Sequence, residues 1–333
     1  MASGPTTGAA PSLGDGEASR TRRGVRMADV AREVGVSAQT VSRVANGVPG
    51  VGEPTRRVVL EAMSRLGYRP NSAARALKSG RFRTLGVLMF TLSTQGNVRT
   101  LEGVLAPAAA AGYGVTLVPV QHHTQEEVRG AFGRLMELAV DAVVVVMEVR
   151  LLDAVTVLLP PGVPVVVVDS NASDRYPVVD TDQADGARQA TRHLLDLGHE
   201  SVWHVAGPPD SFAATRRTQG WRTTLEEAGR DVPPLLVGDW TSSSGYEAGR
   251  AVPGDDSVVG FDDLPDVADY VPPLTTVHQD FAEVGRRSVE LVLRQLEAGG
   301  ADPEAGRDDV GTGTWLVPTW LVERASTAPP PRR

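Results

Sequence analysis

A short segment near the start of the chain carries polar side chains whose spacing suits the edges of DNA bases. Gln39 and Arg43 are four residues apart, so in a helix they project from the same face. In the major groove, glutamine can pair with adenine and arginine with guanine through two hydrogen bonds. Short hydroxyl and amide side chains suit phosphate oxygens. The predicted DNA-contacting set of this segment is Ser37, Ala38, Gln39, Thr40, Ser42, Arg43 and Asn46.

Two short helices are predicted to position these side chains. Apolar residues at helical spacing indicate a first helix at Met27–Val34, which ends at Gly35. Ser37 is a favourable N-cap for a second helix, Ala38–Ala45, and the Asn46–Gly47 pair ends it. A glycine-containing turn between two short helices is typical of a helix-turn-helix. An ordinary solvated helix face is the alternative interpretation of the second helix.

A third helix is predicted to complete this all-α head. It begins at Thr55 and ends at Gly67. Its apolar positions form one stripe that we expect to be buried against the first two helices, namely Val58, Val59, Ala62, Met63 and Leu66.

The charges of the chain are divided between its two parts. Residues 1–83 hold 14 Arg and Lys against 6 Asp and Glu, a net charge of +8. The remaining residues hold 19 against 35, a net charge of −16. Because DNA phosphates attract only the basic part, this division indicates that the head alone approaches nucleic acid. Chance composition is the alternative.

From residue 83 onwards, predicted strands alternate with predicted helices. The strands are Thr84–Phe90, Val115–Val120, Ala142–Met147, Val163–Asp169, Val178–Thr181, Ser201–Ala206 and Ser257–Asp262. The helices are Val98–Ala111, Gln125–Ala139, Gln183–Leu197, Thr215–Ala228 and Phe281–Ala298. This alternation predicts an α/β body of doubly wound parallel sheets. Its length, about 240 residues, predicts two lobes rather than one.

Several function classes are disfavoured by what the sequence lacks. The chain has no cysteine, which excludes disulfides and thiolate metal sites. It carries no P-loop, no dinucleotide fingerprint and no hydrolase or zinc-protease signature. We therefore predict no enzymatic activity, no cofactor and no metal site. We find no export signal and no membrane-spanning stretch, and we expect a cytoplasmic protein associated with the nucleoid.

Seven motifs resemble the lactose-repressor (LacI/GalR) family. They are DVAREVGVSAQTVSRVANG, LGYRPNSAARALKSGR, TLGV, LLDLGH, GWRTTLEEAG, SVVGFDD and PPLTTVHQDF, and the resemblance extends from Val25 to Ser326. It implies a repressor of carbohydrate-related genes with a periplasmic-binding-protein-like body. Such a regulator binds its operator DNA as a homodimer, with an affinity that a sugar-like effector changes. A sugar-binding transport receptor is the alternative of another class, which the basic head disfavours.

The resemblance also implies the domain boundaries. We expect a disordered leader at 1–24, the helix-turn-helix domain at 25–70, a hinge helix and linker at 71–82, the effector-binding and dimerisation body at 83–326, and a disordered tail at 327–333. Within the body, lobe 1 is expected at about 83–181 plus crossover segments, and lobe 2 at about 182–315.

Asn71–Gly80 resembles the hinge helix of this family, which folds on specific DNA. Ala74 and Leu77 are three residues apart and share a helix face. Leu77 matches the apolar wedge that enters the minor groove and kinks the duplex. The resemblance therefore implies DNA contacts at Asn71, Ala74 and Leu77, with a plain linker as the alternative.

Effector contacts are implied in both lobes by matching motif positions. Asp and Arg side chains pair with sugar hydroxyls, and aromatic rings stack on the apolar faces of sugar rings. The implied residues are Thr94, Gly96, Asn97 and Asp169 in the first lobe, and Arg217, Trp240, Asp262, Gln279 and Phe281 in the second.

One stretch departs from the family pattern. Between Arg250 and Val252, about 30 residues are absent, which is about one strand and one helix by size. In the family this unit brings an Asn–Asp pair to the effector and part of the dimer face. We therefore expect unpaired strand edges in the second lobe, and either a weakened or an effector-independent sensor. Either a natural deletion or an error in the sequence explains the gap.

Overall fold

The computed structural model describes residues 25–69, 76, 80–120, 124–146, 162–171, 175–252, 257–299 and 312–331. The chain divides into two compact units, Met1–Lys78 and Ser79–Arg333. In its described part, the first unit is helical and the second is α/β. None of the described helices is long and apolar enough to cross a membrane.

The head contains three helices around a small apolar core. They are α1 (Met27–Val34), α2 (Ala38–Ala45) and α3 (Glu53–Leu66). Gly35 ends α1 in the left-handed region, at φ 71°, which favours glycine. Ser37 caps α2 by accepting a hydrogen bond from the backbone N–H of Thr40, as predicted. Val30, Val41 and Val59 are fully buried where the three helices meet.

The predicted stripe of α3 needs one correction. Val58 is 44% exposed, whereas Val59, Ala62 and Met63 are buried. The buried positions are three and four residues apart, so they share one face, and Val58 lies one residue, about 100°, outside it. The helix also begins at Glu53 rather than at Thr55.

Lobe 1 is a six-stranded parallel sheet with the order β10-β5-β4-β3-β1-β2. Its strands are β1 (Thr84–Met89), β2 (Gly114–Pro119), β3 (Ala142–Val146), β4 (Val165–Val168), β5 (Pro177–Thr181) and β10 (Gly313–Val317). Its helices are α4 (Gln95–Ala110), α5 (Gln125–Glu137) and α9 (Phe281–Ala298). One apolar core lies under α5, and a second lies under α4 and α9. The prediction of a doubly wound parallel sheet is confirmed here.

The second lobe contains two smaller sheets. Its elements are α6 (Gln183–Asp196), β6 (Val205–Ala206), α7 (Phe212–Glu227), β7 (Leu236–Val237), α8 (Ser242–Ala251), β8 (Val259–Asp262), a 3₁₀ helix (Pro265–Asp269), β9 (Thr275–Gln279) and β11 (Thr319–Val322). One sheet has the order β11-β9-β8, in which β11 is antiparallel, and the other consists of β6 and β7. The strand predicted at Ser201–Ala206 is therefore reduced to Val205–Ala206.

The split between these sheets lies where the absent strand is expected. In the described part of the lobe, β6 pairs with β7 and β8 pairs with β9, and no pairing joins β6 to β8. Helix α8, which precedes the gap, buries none of its own side chains in the described part of the chain. The prediction of unpaired strand edges agrees with this arrangement.

The predicted boundary between the lobes differs from the structure at its C-terminal side. Phe281–Ala298 and Gly313–Val317 fall in the range assigned to lobe 2, but α9 packs on α4 and β10 pairs with β5 of lobe 1. The chain crosses between the lobes more than once, and local periodicity does not reveal which sheet a segment joins.

Gly220 allows α6 and α7 of lobe 2 to pack closely. A Cβ atom at Gly220 would lie 2.2 Å from the backbone oxygen of Ala184, and backbone cannot move aside as a flexible side chain can. We expect Gly220→Ala to lower the free energy of unfolding by about 1–3 kcal/mol, the usual cost of overpacking. Urea denaturation measures this loss.

Gly130 provides the matched control, because it lies inside helix α5 with open space around its Cβ position. Gly130→Ala is expected to be neutral or to stabilise the protein by about 0.5–1 kcal/mol through its higher helix propensity. Equal effects of the two substitutions would show that the α6–α7 contact is looser than described.

Candidate functional sites

The polar side chains of α2 fall into two groups. One group satisfies the helix ends. Ser37 accepts from Thr40, and the side-chain amide of Asn46 donates to the backbone oxygen of Ser42 at 2.7 Å. These hydrogen bonds fix the length and ends of α2, and they leave the outer face of the helix to the second group.

Gln39 and Arg43 form that second group, and both are exposed. The side chain of Gln39 makes no hydrogen bond in the described part of the head. The side chain of Arg43 has one hydrogen bond within the head, because its Nη2 donates to the backbone oxygen of Pro49 at 3.3 Å. A Cβ at Gly50 would lie 3.3 Å from that Nη2, so the glycine leaves room for the guanidinium. Ala38 is also exposed and Thr40 is half-buried.

The hinge residues predicted to contact DNA, Asn71, Ala74 and Leu77, lie outside the described residues. Their roles stay predictions, as does the expected leader at 1–24. The expected disordered tail at 327–333 needs a correction at its start, because Thr327 Oγ1 lies 2.9 Å from Nε2 of His193 and the backbone N–H of Ala328 donates to Ser257 Oγ at 3.1 Å.

A cavity of about 370 Å³ lies between the two lobes of the body, at the carboxyl ends of β4, β8 and β9. This is the edge where parallel α/β sheets bind ligands. The structure brings every predicted effector residue to its wall, namely Thr94, Gly96, Asn97, Asp169, Arg217, Trp240, Asp262, Gln279 and Phe281. Their contact with an effector stays a prediction.

A ring of hydrogen bonds connects four polar side chains on the lobe 2 side of the cavity. Arg217 Nε donates to Gln183 Oε1 at 2.7 Å, and Gln183 Nε2 donates to Gln279 Oε1 at 2.8 Å. Gln279 Nε2 donates to Oδ1 of Asp262, which lies 3.4 Å from Arg217 Nη2. Each member is held by two others, so the cavity presents a preorganised set of donors and acceptors.

Two aromatic rings supply apolar wall. Trp240 follows β7 with φ 66°, and its ring lies 5.3 Å from the guanidinium carbon of Arg217. A Cβ at Gly207 would lie 2.1 Å from the Trp240 ring, which shows how closely the indole packs on this backbone. Phe281 begins α9 and packs against Gly96. Trp240 lines the cavity and is 39% exposed, so part of the indole is accessible to a ligand.

The lobe 1 side of the cavity is acidic. Burial raises the pKa of Asp169 to about 6, although Arg216 and Arg217 oppose the shift. The hydroxyl of Thr94 is buried without a hydrogen-bond partner among the described residues, which makes it available to a ligand. The amide of Asn97, by contrast, donates to the backbone oxygen of Thr91 at 3.0 Å and is used within the fold.

Sequence reasoning missed several residues of the cavity wall. The polar ones include Asp180, Thr181, Gln183 and Ser242. Asp180 had a visible signal, because an acid inside the apolar strand β5 requires a partner when it is buried. Nothing in the sequence indicated that Gln183 lines the cavity, since its hydrogen bond is with Gln279, which lies 96 residues later in the chain.

Three families match successive parts of the chain. Residues 26–71 match the family described as bacterial regulatory proteins, lacI family. Residues 84–252 match the periplasmic binding proteins and sugar binding domain of the LacI family, and residues 243–327 match a periplasmic binding protein-like domain. The last two matches confirm the predicted class of the body.

Individual relatives agree with these matches. The lactose operon repressor of Escherichia coli K12 is 31% identical, over 92% of this chain and 91% of that protein. The transcriptional repressor PurR of Haemophilus influenzae PittEE is 28% identical, over 80% and 90%. A crystal structure of the Lac repressor dimer bound to operator and the anti-inducer ONPF superimposes with a TM-score of 0.77 at 29% identity, over 92% of this chain and 100% of that one. The chain therefore belongs to the lacI family of bacterial regulatory proteins.

Proposed function

We propose that this chain is a transcription repressor that binds an operator as a homodimer, with an affinity set by a sugar-like effector. The exposed pair Gln39 and Arg43 on α2 is the observation that carries the proposal. Both side chains project from a well-packed helix-turn-helix in the basic part of the chain. Base edges in the major groove are the targets that suit this pair.

The relatives support a regulator rather than an enzyme, because both curated proteins named above are repressors. The regulated genes are carbohydrate-related in this proposal, and the site of action is the cytoplasm, at the nucleoid. Asn71, Ala74 and Leu77 remain the proposed hinge contacts, with Leu77 as the wedge in the minor groove.

The cavity between the lobes is the proposed effector site. Its hydrogen-bonding ring of Arg217, Gln183, Gln279 and Asp262 offers donors and acceptors to hydroxyl groups. The partly exposed indole of Trp240 offers a stacking surface for an apolar sugar face. The volume of about 370 Å³ falls in the range of small-molecule sites.

A regulator with an effector-independent sensor is the second candidate. The separation of β6–β7 from β8–β9–β11 favours it, because the absent strand would join them and bring further polar groups to the cavity. Several hydrogen bonds at about 0.5–1.5 kcal/mol each are missing, so we expect sugars to bind about 100-fold more weakly than to an intact relative. Calorimetric titration with a panel of galactosides and other simple sugars distinguishes the two candidates. Micromolar binding coupled to operator release would show a working sensor.

An exposed apolar face of α4 is the proposed dimer contact in lobe 1. Leu105 is 45% exposed, and Ala106, Ala109 and Ala110 are exposed beside it. Positions three and four apart form one helix face, and an exposed apolar face of this kind suits a protein interface. We expect Leu105→Lys to raise the dimer dissociation constant about 10-fold or more, because it places like charges across a two-fold axis.

Analytical ultracentrifugation measures this change, with Leu138→Lys as control. Leu138 is 50% exposed and follows α5, away from the α4 face. If Leu138→Lys dissociates the dimer and Leu105→Lys does not, the interface lies elsewhere on the lobe.

Selection of genomic DNA fragments by the purified full-length protein tests the proposed function as a whole. We expect enrichment of a two-fold symmetric site, because a dimer presents two α2 helices to two half-sites. Recovery of fragments without any shared sequence would contradict specific regulation.

A further inference from the structure

Arg216 connects the two lobes beside the cavity. It lies on α7 of lobe 2, and its Nη1 contacts Oδ2 of Asp180 and lies 3.6 Å from Oδ1 of Asp169 in lobe 1. Its Nη2 donates to the backbone oxygen of Ser170 at 3.1 Å and to Oδ1 of Asn171 at 2.7 Å. One side chain of lobe 2 therefore has four partners in lobe 1.

Of the two acids that face Arg216, Asp180 is buried and Asp169 is half-buried. The side chain of Asp180 is 1% exposed and that of Asp169 is 14% exposed. A buried carboxylate without a counter-charge is costly, since it loses hydration that nothing replaces. When the cleft opens, Arg216 moves away from Asp169 and Asp180, and these carboxylates lose their counter-charge. The free energy of these ion pairs therefore opposes opening of the cleft.

The neighbouring arginine makes its ion pair and its side-chain hydrogen bond within lobe 2. Arg217 pairs with Asp262 at the end of β8 and with Gln183 on α6, and all three belong to lobe 2. Its ion pair is therefore internal to one lobe and is preserved when the lobes separate. The two adjacent arginines of α7 thus differ in function, because Arg217 lines the cavity and Arg216 bridges the two lobes beside it.

We propose that Arg216 is a lobe-bridging positioning residue that holds the effector cleft closed when no ligand is bound. The effect of this closure on operator binding rests on the proposed function. An effector shifts an equilibrium only by its differential affinity for two states. A cleft that is already closed without ligand leaves the effector less closure to add, so operator binding responds less to sugars than it would in a chain without this bridge.

The distance between the lobes can be measured directly, because the chain has no cysteine. Glu137 on α5 of lobe 1 and Asp196 on α6 of lobe 2 are both exposed, and the double substitution Glu137→Cys and Asp196→Cys accepts two spin labels. Pulsed electron spin resonance on the full chain, without DNA or sugar, then gives the distribution of inter-lobe distances.

We expect one narrow distribution in the parent protein. Arg216→Leu should lengthen the mean distance by about 5 Å and broaden the distribution, as in domain opening. Arg216→Lys keeps a charge within reach of Asp180 and should restore most of the closed population. Arg222→Leu is the control, because Arg222 is exposed on the same helix and its described contact is with Trp221 of the same lobe.

The double variant Asp180→Asn with Arg216→Leu distinguishes opening of the cleft from misfolding. It leaves no unpaired charge at position 180, which could by itself unfold the single variant Arg216→Leu. It is expected to keep its far-ultraviolet circular dichroism and still open. A distribution unchanged by Arg216→Leu, or equal opening in Arg222→Leu, would overturn the proposal. Since no DNA or sugar is present, this result is independent of operator binding, and a failure of the proposed function would appear separately.

Discussion

Arg43→Ala is expected to weaken binding to the cognate operator by about 1–3 kcal/mol, or about 5- to 150-fold, and to leave binding to random DNA almost unchanged. The guanidinium is exposed on the outer face of α2, four residues after Gln39. Its hydrogen bond to the backbone oxygen of Pro49, at 3.3 Å, keeps it beside this face. A bidentate pair with a guanine is lost in the variant, whereas most phosphate contacts remain.

Fluorescence anisotropy at a fixed salt concentration measures both affinities, because the electrostatic part of binding changes steeply with salt. Arg32→Ala is the matched control. Arg32 lies on α1, its side chain is 78% exposed, and it pairs with Asp29 rather than with the α2 face. Equal losses on operator and random DNA in Arg43→Ala would identify Arg43 as a phosphate contact and not as a reader of bases.

The second large effect is expected in lobe 2, where the amides of β6 and β7 should exchange with solvent about 100-fold faster than those of β9. This ratio corresponds to an opening free energy about 2.8 kcal/mol smaller. β6 and β7 form a two-stranded sheet whose Val205 and Val237 are 39% and 56% exposed. A two-stranded sheet is marginal by itself, because it buries little apolar surface.

Hydrogen exchange followed by mass spectrometry resolves these segments. β9 is the internal control, because it pairs on both sides and its Thr275, Thr276 and Val277 are fully buried. We also expect rapid exchange in α8, which buries none of its own side chains in the described part of the chain. Equal protection of β6 and β9 would show that the lobe unfolds as one cooperative unit in spite of its divided sheet.

Local patterns predicted the elements that position both sites. The N-cap at Ser37, the turn at Gly35 and the buried stripe of α3, except for Val58, follow from residue type and spacing. The strands predicted at Ala142–Met147 and Val163–Asp169 form the parallel strands β3 and β4, which are buried on both faces. All the residues that motif positions implied as effector contacts line one cavity.

Long-range arrangement was the part that local patterns did not predict. Helix α9 and strand β10 belong to lobe 1 because of the order in which the chain crosses between the lobes. The residue pattern of each segment would be the same if it packed in lobe 2. The partners of Arg216 lie up to 47 positions away along the chain, and they meet only when two lobes fold and approach. The shortening of β6 is likewise a tertiary effect, because a strand needs a neighbour to extend its pairing.

The central claim is that this chain recognises a specific DNA sequence through α2. It is tested most directly by the ratio of affinities for a selected site and for the same bases in shuffled order, at one salt concentration. We predict that the full-length protein binds the selected site at least about 1,000-fold more tightly, as sequence-specific regulators do. Equal affinity for the two DNAs would contradict the account, because it would leave the basic head with electrostatic attraction alone.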